Sequence, residues 1–172
     1  TKVRPIIAGI ASSTRDPLVE RKLRDLDETI AYAGGVWVEA LAEKYAVTPG
    51  GSLKVTLSAL ARGAASVSIL GAKLRGIDGT PSPVIAPSVL AANKPSLYPV
   101  TFMVPESQPY TQPYWLENPR EASMYAVANQ ELLGDPENRP VLAALFQMRV
   151  GGIEIQLSRP VQHRYVDKVL GE

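Results

Sequence analysis

The stretch from Val141 to Tyr165, VLAALFQMRVGGIEIQLSRPVQHRY, constrains the fold more than any other part of the chain. Apolar residues alternate along both of its halves, and Gly151 and Gly152 stand between them. Alternation predicts strands with one apolar face, and a Gly-Gly pair can take positive φ in a tight turn. The stretch therefore predicts a β-hairpin that needs a larger sheet to join. Its apolar positions are Leu142, Ala144, Phe146, Met148, Val150, Ile153, Ile155 and Leu157.

A helical segment is predicted before the β-patterned part of the chain. Asp16-Pro17 supplies a capping residue and a first-turn proline, and apolar residues then recur three or four apart. The pattern predicts an amphipathic helix that ends near Tyr45. Gly34-Gly35 inside it predicts either a kink or a close contact with the helix backbone. The segment VRPIIAGIASS, residues 3–13, predicts one or two further helical turns.

Turn residues at 47–51, VTPGG, mark a boundary between a helical segment, residues 1–46, and a β domain, residues 47–172. Alternation predicts strands over 52–61, 66–77 and 96–105, a further extended piece over 83–93, and a turn at 78–81. Gly71 and Gly76 predict a bulge or a bend. With the hairpin, about seven short strands favour a mainly β fold, an antiparallel immunoglobulin- or fibronectin-like β-sandwich preceded by the helical segment.

Composition excludes several classes of function. The 18 Lys and Arg residues against 17 Asp and Glu leave a net charge of +1, which argues against nucleic acid or an anionic membrane as partner. Apolar runs are too short for a membrane span of roughly 20 residues. Without cysteine there is no disulfide, thiolate nucleophile or Cys-ligated zinc, and the single histidine, His163, argues against a catalytic triad or a His-based metal site.

No catalytic, cofactor-binding or metal-binding motif is present. Asp25, Asp27 and Glu28 lie among basic residues of the predicted helix, which is typical of a solvated face. His163 is predicted to be an edge histidine or one bonded to a loop carbonyl. The oxygens of residues 135–138 could serve calcium, but a plain turn is the favoured interpretation.

The best candidate contact surface is the long segment 106–139, because long loops without regular structure are commonly functional. Tyr110, Tyr114 and Trp115 lie there among prolines. Their rings could stack on a sugar, and their polar tips could bond its hydroxyls, so these three residues are the candidates for a glycan or partner contact. The favoured interpretation is that they pack between helix and sandwich, where Trp37 also needs a partner.

Four stretches carry a resemblance to a known family: AGGVWVEALAEKYAVTPGGSLKV, TQPYWLENP, LLGDPENRP and RPVQHRYVDKVLGE. They resemble the region downstream of the catalytic domain in large bacterial proteins of the PIG-L/LmbE-like deacetylase family, from about Asp25 to Glu172. Tyr114-Trp115-Leu116 and residues 159–167 are the most distinctive matches. The family's zinc site needs a His-Pro-Asp-Asp motif and a later His pair, which this sequence lacks.

The resemblance implies a non-catalytic accessory module of a zinc-dependent N-acetylglucosamine deacetylase. Zinc is then expected only in the parent's catalytic domain, and that domain, with a glycan as a second contact, is the expected partner. It also implies an extracytoplasmic location and an excised piece of a longer protein. Two alternatives stay open: a stand-alone protein-interaction or adhesion module, and a hydrolase with an unrecognised carboxylate site.

Overall fold

A computed structural model describes residues 2–14, 16–76, 85–120, 122–166 and 169. Two helices precede seven strands, and two short 3-10 turns, Tyr114–Leu116 and Gln130–Leu132, interrupt the long segment before the last two strands. The helices are α1, Val3–Thr14, and α2, Pro17–Ala33. The strands are β1, Val36–Ala42; β2, Ser52–Ala61; β3, Val67–Arg75; β4, Ser88–Val89; β5, Ser96–Met103; β6, Ala143–Val150; and β7, Ile153–Gln162.

The predicted hairpin is confirmed. β6 and β7 pair antiparallel, and Val150 lies opposite Ile153. Gly151 and Gly152, which connect them, have φ of +55° and +84°, the left-handed conformation that a two-residue hairpin turn requires. The strands predicted over 52–61, 66–77 and 96–105 also form, and the register of β3 shifts at Gly71 as predicted. The turn predicted at 78–81 lies outside the described residues.

The helix predicted to run to Tyr45 is wrong beyond Ala33, because residues 36–42 form β1. Gly34 caps α2, and Gly35 turns the chain with a φ of +66°. A Cβ at Gly35 would lie 2.4 Å from the backbone nitrogen of Gly63, so the close backbone contact, and not a kink, explains the glycine pair. β1 pairs with β2 across the boundary predicted at residue 46.

One curled sheet contains all seven strands, in the order β4-β3-β6-β7-β1-β2-β5. Adjacent strands in this sheet pair antiparallel, except for β1 and β7, which pair parallel. The edge strands β4 and β5 approach each other, and the hydroxyls of Ser88 and Tyr98 lie 2.8 Å apart. β5 contains Pro99. The prediction of a mainly β chain with an N-terminal helical segment is confirmed, but the sheet forms a half-barrel instead of a clear immunoglobulin-like sandwich.

The core lies inside the curl and contains the predicted apolar faces of the strands. Burying one such aliphatic or aromatic side chain contributes roughly 1.5–3 kcal/mol. The apolar face of the hairpin is its centre, as predicted from the alternation. The largest fully buried side chains are Phe146, Leu57, Ile69, Met148, Leu157, Val55 and Val67.

Helix α2 covers β7 beyond its pairing with β1. That pairing covers Ala40–Val161 and Leu41–Gln162, so Gln156 lies outside it and donates its backbone N–H to Asp27 Oδ2 at 2.9 Å. Arg4 of α1 binds the same carboxylate through Nε, 2.6 Å from Oδ1, and Nη2, 3.0 Å from Oδ2. One buried carboxylate therefore holds both helices on the sheet.

The prediction of a solvated acidic face on α2 holds for one of its three residues. Asp25 is exposed and pairs with Lys22 at 3.3 Å. Asp27 is buried, and Glu28 binds Arg159 of β7 with distances of 2.5 and 2.8 Å. The hydrogen bond with Glu28 raises the pKa of the Arg159 guanidinium. None of the described helices is long and apolar enough to span a bilayer.

Candidate functional site: an aromatic cleft at one end of the sheet

Five strand ends meet at one end of the sheet. β1 and β7 are parallel and both end there, and β5, which is antiparallel to β2, ends there too. β2 and β6 begin at the same end, because each is antiparallel to a neighbour that ends there. The connecting segments at this end come from four separate parts of the chain, so side chains far apart in sequence lie around one opening.

These segments enclose a cavity of about 310 Å³, here called the aromatic cleft. Its floor is apolar and contains the buried side chains of Leu53, Val104 and Leu142. Its rim carries exposed side chains with polar ends: Lys44, Tyr45, Tyr110, Thr111 and His163. An apolar concave floor with a few convergent polar groups is the usual character of a small-molecule site.

Backbone hydrogen bonds hold the two flanks of the aromatic cleft. Gly50 donates its N–H to Val104 O at 3.0 Å, and Val104 donates to Gly51 O at 2.9 Å. These bonds continue the ladder between β2 and β5 into the cleft. On the opposite flank, Val161 donates its N–H to Leu142 O at 2.9 Å. The rim side chains therefore project from segments that are anchored close to the sheet.

His163 is held at the rim by the end of β1. Its Nδ1 lies 3.2 Å from the carbonyl oxygen of Ala42. Because a carbonyl oxygen can only accept, Nδ1 donates this hydrogen bond; in the neutral form of the ring Nε2 is then a hydrogen-bond acceptor. The ring centroid of Tyr45 lies 6.3 Å away at an interplanar angle of 56°. His163 therefore bonds to a backbone carbonyl, as one of the two predictions had it, but that carbonyl belongs to the last residue of β1 and not to a loop.

The three aromatic residues predicted as a contact surface occupy different environments. Tyr110 is 82% exposed and lies at the aromatic cleft. Tyr114 is buried, and its ring meets that of Trp115 edge to face, with centroids 4.9 Å apart. Trp115 is half-buried. Trp37, predicted to pack with these rings, instead lies on β1 and is 42% exposed.

Tyr114 anchors the long segment between β5 and β6. Its hydroxyl donates to Asp135 O at 3.1 Å, and its backbone N–H donates to Asn138 Oδ1 at 2.9 Å. Asn138 Nδ2 in turn donates to Gln112 O at 2.6 Å. These bonds join the two ends of the segment, so Tyr114 supports the loop that carries Tyr110.

The described lining of the aromatic cleft contains one imidazole, one ammonium and three hydroxyl side chains, and it contains no carboxylate or thiol. Over the described ranges, no group of three or more His, Cys, Asp or Glu side chains is placed to hold a metal ion. Asp135, whose carboxylate was considered as a calcium ligand, forms an ion pair with Arg139, with 3.6 Å between Oδ2 and Nε.

A second cavity, of about 440 Å³, lies beside the helices and is lined by three acidic residues of α2, Glu20, Asp27 and Glu28. Asp27 pairs there with Arg4, and Glu28 pairs with Arg159. Both carboxylates are therefore occupied by arginines, and their contacts join helices to sheet. These two ion pairs give Asp27 and Glu28 a structural role.

Lys44 and Tyr45 are cleft residues that the sequence pattern did not identify. They lie just after β1, in a stretch that was predicted to be the end of a helix. Ending the predicted helix at Gly34-Gly35 would have placed both residues in a loop. Their position beside His163, however, depends on the parallel pairing of β1 and β7, which the sequence pattern does not show.

Comparison with known proteins gives no family assignment. No family model matches the chain, and no curated protein matches it. The crystal structure of Spo0M, a sporulation control protein from Bacillus subtilis, is similar over 77% of this chain and 51% of that chain, with 14% identity and a TM-score of 0.38. The chain thus spans about half of the Spo0M chain, and a similarity of this size assigns neither fold family nor function. The relation to PIG-L/LmbE-like proteins stays a prediction.

Proposed function

We propose that this chain is a non-catalytic accessory module that contacts a glycan through the aromatic cleft. The observation that carries the proposal is the pair of tyrosines at the rim. Tyr45 and Tyr110 are 88% and 82% exposed beside a buried apolar floor. Aromatic faces stack on the apolar faces of sugar rings, and tyrosine hydroxyls and the acceptor nitrogen of His163 suit sugar hydroxyls.

The sequence resemblance supplies the wider setting of the proposal. In that setting the module belongs to an extracytoplasmic, zinc-dependent deacetylase acting on N-acetylglucosamine-type substrates. The zinc and the reaction belong to the parent's catalytic domain, and this chain contributes a scaffold and a glycan contact. The proposed contact differs from the sequence prediction in one respect, since Tyr110 serves with Tyr45 while Tyr114 supports the loop.

Titration of the purified chain with soluble N-acetylglucosamine oligosaccharides, followed by calorimetry or NMR, tests the proposal. We expect Tyr110→Ala and Tyr45→Ala each to weaken binding by about tenfold, or roughly 1.4 kcal/mol. The melting temperature should change little, since both side chains are largely exposed. Tyr32→Ala is the matched control, because Tyr32 is 74% exposed on α2 and does not line the cleft.

Unchanged binding in both cleft variants would contradict the proposed site. A different surface favours the alternative of a protein-interaction module: Val3, Ile6 and Ile10 of α1 are 56%, 62% and 44% exposed and lie three or four residues apart. If no oligosaccharide binds and the chain self-associates through this stripe, the glycan proposal is overturned in favour of that alternative.

A further inference from the structure

The charge of the aromatic cleft narrows the class of glycan that would bind it. The described lining contains the ammonium of Lys44 and no Asp or Glu side chain. The chain as a whole carries nearly equal numbers of acidic and basic residues, so this one-sided lining is a local property. The nearby acids are Glu43, which precedes Lys44, and Glu106, whose side chain lies beside Gly50; both are exposed, and neither lines the cleft.

We infer that the glycan bound at this site carries a carboxylate, as a uronic acid does; the inference rests on the proposed function. The ammonium of Lys44 is the cationic partner for the carboxylate. Tyr45 and Tyr110 offer faces to the sugar ring, and His163 Nε2 accepts from a ring hydroxyl. A neutral sugar uses the same rings and acceptor but leaves the ammonium without a counter-charge.

The size and exposure of the aromatic cleft limit what is recognised. A volume of about 310 Å³ is at the lower end of the range for ligand sites, which suits one or two sugar rings. Lys44 is exposed, so water and salt screen its attraction for a carboxylate. The charge therefore adds selectivity of about fivefold to an affinity that the tyrosines supply.

A matched pair of ligands tests the inference on the intact chain. Cellotetraose and its counterpart oxidised to the carboxylate at C6 share one backbone and differ in charge. We expect the oxidised tetramer to bind about fivefold more tightly in about 20 mM salt, and the preference to shrink at about 0.5 M salt. Lys44→Gln should abolish the preference, so that the two tetramers bind equally.

Lys94→Gln is the control, because Lys94 precedes β5, at the end of the sheet opposite the aromatic cleft. It should keep the full preference. Equal binding of the two tetramers by the unmodified chain, or a preference that survives Lys44→Gln, would overturn the inference and leave the glycan site standing. Absence of binding by either tetramer, and by N-acetylglucosamine oligosaccharides, would overturn the proposed function together with the inference.

Discussion

The carboxylate of Asp27 accepts the backbone N–H of Gln156 at 2.9 Å, although 129 positions of sequence separate the two residues. Arg4 neutralises the same carboxylate, whose side chain is only 4% exposed. The three groups depend on one another, because a buried charge or strand N–H without a partner is costly. Both helices are thereby coupled to β7, at a place where its neighbour β1 does not reach.

Replacing Asp27 by asparagine tests this coupling. The variant leaves the largely buried guanidinium of Arg4 without its counter-charge. We expect the free energy of unfolding to fall by about 3 kcal/mol, measured by urea denaturation. Asp25→Asn is the control, since the exposed pair of Asp25 with Lys22 should contribute less than about 0.5 kcal/mol. A similar loss of unfolding free energy in the two variants would show that the buried pair contributes no more to stability than the exposed pair.

Two Gly→Ala substitutions should change stability in opposite directions. At Gly35, with a φ of +66°, the new methyl group would meet Gly63 N at 2.4 Å, so we expect a loss of at least about 2 kcal/mol. Gly9 lies inside α1, and no neighbouring atom lies within 4 Å of the place that an added methyl group would take, so Gly9→Ala should stabilise by about 0.5–1 kcal/mol. Thermal unfolding of both variants measures the two changes in stability. If both variants were stabilised, or both destabilised, the prediction would be refuted.

Asn138→Ala should loosen the loop that carries Tyr110 without unfolding the sheet. The substitution removes the acceptor of the Tyr114 N–H and the donor to Gln112 O. Amide hydrogen exchange at Tyr114 should become at least about tenfold faster, while the exchange of core amides in β6 stays unchanged. In the control Asn118→Ala, which loses a bond to Ala126 O instead, the Tyr114 amide should exchange as in the unsubstituted chain.

Four strands were predictable: β6 and β7 of the hairpin, β2 and β5. Each has one buried face, which produces an alternation of apolar and polar residues in the sequence. β1 was missed because Trp37 and Leu41 continue the helical spacing of α2 by coincidence. The β-branched and aromatic character of Val36, Trp37 and Val38, after two glycines, was the local signal for a strand. Local signals of this kind fix elements, but they carry no information on which strands pair.

The candidate site was predicted only at Tyr110. Tyr45 and His163 reach the aromatic cleft from the ends of β1 and β7, so their proximity depends on a parallel pairing between distant parts of the chain. The structural role of Asp27 could not be predicted for the same reason, because its partners Arg4 and Gln156 lie on other elements. Residue patterns within one element cannot show such contacts, because they arise from packing between elements.

Pro99 has a consequence for the behaviour of this protein at high concentration. A proline in a sheet is tolerated where its nitrogen faces away from the neighbouring strand, so the free side of β5 lacks one donor at its centre. The opposite border, β4, is only two residues long. Neither border offers a newly synthesised or crowded neighbour a continuous row of donors and acceptors. Interrupted and short borders of this kind disfavour strand-by-strand polymerisation of an open sheet.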